Sequence, residues 1–85
     1  MTENEKHLLI VEDEAALREV TAERLTDHGY SVTQVESGEQ ALAKLADFAF
    51  DVVVTDLRLP GVDGSQVLKA AIDRYPEIVG IVVTG

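Results

Sequence analysis

The sequence predicts an α/β domain built on a parallel sheet, and three observations carry that expectation. Short apolar runs, Leu8–Val11, Val52–Val54 and Ile81–Val83, contain no polar alternation, as strands covered on both faces require. Segments with helical spacing separate the strands through short connections, so the order reads β-α-β-α-β-α-β with right-handed crossovers. Two of the runs end in carboxylates, Glu12-Asp13 and Asp56, at the strand end where open α/β sheets hold their ligands.

The elements follow in chain order. Leu8–Val11 is the first buried strand, after a polar tail of residues 1–7. From about Glu14 to His28 an acidic start, Ala-rich composition and the Leu17, Val20, Leu25 spacing predict an amphipathic helix. Gly29 supplies the left-handed residue that ends it. Tyr30–Val35 largely alternates apolar with polar residues, which places that strand nearer the sheet edge. Ser37 followed by Gln40 has capping-box spacing and opens a second helix through Ala41, Leu42, Leu45 and Ala46. Val52–Asp56 is the central strand, and a Pro60-Gly61 turn follows it. Val67, Leu68, Ala71, Ile72 and Tyr75 share one face of a third helix, which Pro76 terminates. Ile78–Val83 is the fourth strand, closing at Thr84-Gly85. Its apolar run wants a helix over each face and none follows, so the expectation is a fragment of a longer chain. Its last strand is then open to pairing with a second copy.

Composition narrows the function classes. The 85 residues carry a formal net charge of −9, which opposes holding nucleic acid through its phosphates. That charge suits a cation or a basic protein surface. The sequence has no cysteine, so a disulfide framework and a thiolate zinc site are excluded. The stretch Met1–His7 shows no signal-peptide pattern and no apolar run reaches membrane length. The expected compartment is the cytoplasm, with no membrane contact.

Glu12 and Asp13 close the first strand, Asp56 the third and Thr84 the fourth, so a parallel sheet brings them to one edge. Carboxylates gathered there repel one another unless one takes a proton or a cation joins them. All-oxygen ligation with room for water suits Mg²⁺ better than zinc or a calcium cage. A cation would also neutralise an incoming phosphoryl group. Asp56 is then the candidate nucleophile, since carboxylates form aspartyl-phosphates. Other α/β chemistries lack their residues. A dinucleotide site needs Gly-x-Gly-x-x-Gly where Glu12-Asp13-Glu14-Ala15 stands. No Gly-Lys-Ser/Thr loop accompanies Val52–Asp56, and Arg58 occupies the place of a haloacid-dehalogenase-type second aspartate. No Ser/His/Asp or Cys/His arrangement supports turnover of an external substrate.

Four motifs together resemble the receiver domain of two-component response regulators. They are Glu12-Asp13 after an apolar strand, Asp56 after Val52-Val53-Val54, the Leu59-Pro60-Gly61-Val62-Asp63-Gly64 loop, and the terminal Val82-Val83-Thr84-Gly85. Asp56-Leu57-Arg58-Leu59-Pro60-Gly61 looks most like receivers of NtrC-like transcriptional regulators. The resemblance implies a flavodoxin-like doubly wound sheet, strand order 2-1-3-4 here, with the family's last helix-strand-helix beyond these residues. It implies that Asp56 accepts a phosphoryl group from a phosphohistidine on a sensor histidine kinase. Asp13, Asp56 and the backbone carbonyl of Arg58 would hold Mg²⁺, with Glu12 helping through water, and Thr84 would sense the phosphoryl group. A fused output domain is implied as well. The family's active-site lysine and switch aromatic lie on a fifth strand, and Lys6, Lys44 and Lys69 do not match that lysine. The rival expectation, of another class, is an unphosphorylated assembly module.

Several residues also have plainer readings. An acid at a strand end is often only the N-cap of the next helix, the plainer reading of Asp13, and Asp63 is loop structure or the third helix's cap. Glu14 complements a helix dipole. Thr55 fills the strand, and His7 and His28 are surface residues.

Overall fold

The computed structural model describes residues 5–83. Four strands, β1 (His7–Val11), β2 (Ser31–Val35), β3 (Val52–Asp56) and β4 (Val79–Val83), alternate with three helices, α1 (Ala15–Asp27), α2 (Gly38–Asp47) and α3 (Gly64–Arg74). The strands form one parallel sheet in the order β2-β1-β3-β4. This is the flavodoxin-like order expected, with β2 at one edge and β4 at the other.

Of the three unbroken apolar runs, those of β1 and β3 lie where both faces are covered, and Ile81–Val83 does not. Leu8, Leu9, Ile10 and Val11 of β1 are all buried, as are Val53, Val54 and Thr55 of β3. On one face Leu9, Val11 and Val53 pack with Ala41 and Leu45 of α2 and Val67 and Ala71 of α3. On the other, Leu8, Ile10 and Val54 pack with Ala22 of α1.

Element ends follow their local chemistry. Gly29, at φ +96°, ends α1 in a Schellman arrangement: Gly29 N–H donates to Thr26 at 3.0 Å and Tyr30 N–H to Leu25 at 3.2 Å. Ser37 Oγ accepts Gln40 N–H at 3.1 Å, but Gln40 reaches back to Glu36 N–H at 2.9 Å, one residue before the cap. Asp63 and Gln66 make the full reciprocal box at the start of α3. The Tyr75 hydroxyl lies 3.2 Å from the Leu45 carbonyl and 3.1 Å from that of Phe48, tying the ends of α3 and α2 together.

Two expectations shift. β1 begins at His7, which the sequence places in the tail, because His7 continues the register opposite Ser31. In α1 the buried face is carried by Ala22 and the half-buried Leu25, while Leu17 and Val20 are 41% and 52% exposed. At about 3.6 residues per turn, Leu17 falls on the flank of the helix and Val20 nearly opposite the line through Ala22 and Leu25 that faces the sheet. β4 is exposed along its length; Val79, Ile81 and Val83, beside Val52, Val54 and Asp56 in register, keep 54%, 46% and 40% of their surface open.

Candidate phosphoacceptor and cation site

The site is assembled where β1 and β3 end side by side. Beyond the last β1 pairing, Glu12 N–H still donates to the Val35 carbonyl at 3.1 Å, so the chain leaves the sheet only at Glu12. The Glu12 side chain turns inward, 7% exposed, and its Oε2 accepts the Glu14 N–H at 3.0 Å. Glu14 is thus the extended residue before α1, held by Glu12 and making no side-chain cap of its own. Asp13 stands exposed at the crest of the turn.

On β3, Thr55 is fully buried and its hydroxyl donates to the Asp56 carbonyl at 2.9 Å, satisfying a polar group in the core. Asp56 is half-buried, and its Oδ1 accepts the Arg58 N–H at 3.0 Å. Gly64 N–H donates to the Leu57 carbonyl at 3.0 Å, folding α3's first residue against the strand end. A Cβ on Gly64 would collide with the Asp56 carbonyl oxygen, so only glycine permits that approach. Glu39 of α2 accepts the Val62 N–H at 3.3 Å and braces the loop from the other side.

Glu12, Asp13 and Asp56 each present a carboxylate oxygen, all within 4.8 Å of one another. They open onto a cavity of about 480 Å³ bordered also by Leu17, Leu57 and Arg58. Burial raises the pKa of Glu12, and the Asp56 and Asp13 charges add to it, while the Glu14 N–H opposes. Such a crowd of negative oxygens favours a hard divalent cation.

Among the described residues no second group of this kind forms. A larger cavity of about 620 Å³ lies at the opposite, amino-terminal edge of the sheet. Two of its charged groups are committed elsewhere: Asp51 accepts the His7 N–H at 2.8 Å and Arg74 donates to the Ala46 carbonyl at 3.0 Å.

The family model described as "Response regulator receiver domain" matches residues 8–85. The chain belongs to the response regulator receiver domain family. Among curated relatives, the receiver is 40% identical over 77 residues to the response regulator protein FleR of Pseudomonas aeruginosa. It is 39% identical over 75 residues to the DNA-binding transcriptional regulator NtrC of Klebsiella pneumoniae. These alignments cover 91% and 88% of this chain, but only 16% of each relative's length. Among solved structures, a response regulator receiver protein from Sinorhizobium medicae superposes with a TM-score of 0.91 at 36% identity. That match covers 95% of this chain and 67% of the other. The response regulator TrrA of Thermotoga maritima, solved in complex with Mg²⁺-BeF, matches with a TM-score of 0.86 at 33% identity, over 93% of this chain and 69% of its own.

Of the residues named from the sequence, Glu12, Asp13 and Asp56 come together and Arg58 borders their cavity. Thr84 lies outside the described residues. His7 is exposed, and His28 Nδ1 sits 2.8 Å from the Arg24 carbonyl, away from the site. Sequence reading missed Arg18, whose Nη1 donates to the Glu12 carbonyl at 2.9 Å, and Glu39. Neither carries a motif signal, because both act on backbone groups distant in sequence.

Proposed function

We propose that this receiver takes a phosphoryl group from a phosphohistidine of a sensor histidine kinase onto Asp56 and thereby switches a fused output domain. The observation that carries this reading is the meeting of Asp56 with Glu12 and Asp13 at the carboxyl edge of the sheet. A carboxylate oxygen of Asp56 attacks phosphorus, the phosphorus–nitrogen bond breaks, and the imidazole leaves with the electron pair and takes up a proton. Asp56 is suited to this because Arg58 N–H fixes its carboxylate through Oδ1 at 3.0 Å.

The donor set fits Mg²⁺. It is all oxygen, open to solvent on one side, and rich in negative charge. Two direct ligands of one Mg²⁺ stand at most about 4.2 Å apart, twice its bond length of about 2.1 Å. As the likeness to receivers implies, Asp13, Asp56 and the Arg58 backbone carbonyl would hold the cation directly, and Glu12 would help through water. The cation, when bound, offsets the charge of the incoming phosphoryl oxygens. Thr84 donates its hydroxyl to a phosphoryl oxygen and reports the modification.

The likeness to NtrC, a DNA-binding transcriptional regulator, supports an output in transcription control. With a net charge of −9 on the 85 residues, DNA contact belongs to the output domain and not to this segment. The domain works in the cytoplasm on this reading; among the described residues no helix is long and apolar enough to cross a membrane.

The test is phosphorylation of the intact protein by a small-molecule phosphodonor, followed by mass spectrometry. A Mg²⁺-dependent gain of one phosphoryl group, lost in Asp56→Asn, is expected. A gain that persists in Asp56→Asn would overturn the assignment. A second reading, an assembly module pairing through its edge strand, draws on the exposure of all five residues of β4. It requires a mass in solution that rises with concentration, and a strict monomer excludes it.

A further inference from the structure

The turn between β1 and α1 has to aim Asp13, yet Asp13 is exposed and α1 begins without a side-chain cap from Glu14. A helix start of this kind leaves backbone donors without the usual acceptor and the entering chain free to pivot. Three bonds restrain it here, and all pass through Glu12. Its N–H donates to Val35 at 3.1 Å, its Oε2 accepts Glu14 N–H at 3.0 Å, and its carbonyl accepts Arg18 Nη1 at 2.9 Å. The first continues the sheet and the second spans two residues. Only the third reaches from the body of the helix back to the strand end, six residues away.

That bond falls on the peptide linking Glu12 to Asp13. Rotation of this peptide would swing Asp13 relative to Asp56, which is fixed on the neighbouring strand. The partner is a planar cationic guanidinium, and it is half-buried against the turn. A charged donor on a carbonyl makes a shorter and stronger bond than a neutral one.

We infer that Arg18 is a positioning residue of the cation site, holding the Glu12–Asp13 peptide so that the spacing of Asp13 and Asp56 selects Mg²⁺. This rests on the reading that Glu12, Asp13 and Asp56 bind a cation. Mg²⁺ demands near-octahedral geometry at short bond lengths, whereas Ca²⁺ accepts variable distances and numbers of oxygen ligands. Loosening the turn therefore penalises Mg²⁺ more than Ca²⁺. A purely structural loss, acting through the folded fraction, penalises both ions alike.

The test is calorimetric titration of the intact protein, its Arg18→Met variant and its Arg18→Lys variant with Mg²⁺ and, separately, with Ca²⁺. Circular dichroism establishes the folded fraction of each. Arg18→Met keeps the aliphatic stem and is expected to lose Mg²⁺ affinity on the order of tenfold, as removal of a group supporting a metal ligand typically does. Ca²⁺ affinity is expected to fall by a smaller factor, so the Mg²⁺/Ca²⁺ ratio drops. Arg18→Lys, which retains a cationic donor, is expected to recover part of that ratio. Equal losses for the two ions, or Mg²⁺ binding by Arg18→Met within about twofold of the parent, a change of under about 0.4 kcal/mol, would overturn the role of Arg18 alone. A parent protein that binds neither ion overturns the cation site itself, and this inference with it. If Arg18→Met fails to fold, Arg18→Lys decides: an unchanged ion ratio with native circular dichroism and weakened binding of both ions goes against positioning.

Discussion

Glu12 is buried to 7% exposure beside two other acids, and its elevated pKa has a consequence for stability. The folded protein holds the Glu12 proton to higher pH than the unfolded chain does. As pH rises from the ordinary value of 4.5, the unfolded state releases its proton first, so stability falls until the raised pKa is passed. In the absence of divalent ions, melting temperature should decline over that window, and Glu12→Gln should flatten the decline. An unchanged slope in Glu12→Gln would assign the pH dependence to other groups. Sequence reading found all three acids because each ends a strand, a placement that residue order reveals directly. It did not find Arg18, because nothing in the order of residues says that a long helical side chain folds back onto a carbonyl six positions earlier.

At the scale of elements, the start of α3 carries the most information about the site. Gly64 packs against the Asp56 carbonyl and the Leu57 Cα, both backbone and unable to yield. Gly64→Ala should therefore destabilise by about 1–3 kcal/mol in urea unfolding, in the range of overpacked sites, and weaken Mg²⁺ binding by shifting Asp56. Full retention of both would show that the strand end can move freely. Just before it, Asp63 has a lowered pKa because the Gln66 N–H and the Ser65 hydroxyl bond its carboxylate. Its contribution is complete above the ordinary value of 3.8 and is lost as pH falls through the depressed one. Asp63 as a cap was legible from its place before an apolar helical pattern. The inward face of α1 was not, since Leu17 and Val20 satisfy a helical spacing while Ala22 makes the buried contact. Periodicity reports which residues could share a face, and the sheet determines which of them meets it.

At the scale of the whole fold, the two sides of the sheet are unequally furnished among the described residues. Ten buried residues join α2 and α3 to one face, while four join α1 to the other. Leu9, with no exposed surface, anchors the richer side, and Leu9→Ala should cost about 2–5 kcal/mol in denaturant unfolding. The parallel class was readable because unbroken apolar runs ask for cover on both faces, whereas the strand order came from the resemblance to receivers and matches the sheet. The unequal cover was not readable, since it depends on which helix lands on which side. The interior position of β1 adds a property in time. Its amides and those of β3 are flanked by strands on both sides, whereas β2 and β4 each have one open edge. In deuterated water, β1 and β3 should exchange last, at rates approaching those of global opening, and β4 early. The acids that follow β1 and end β3 should thus stand beside the two segments of the sheet that exchange last.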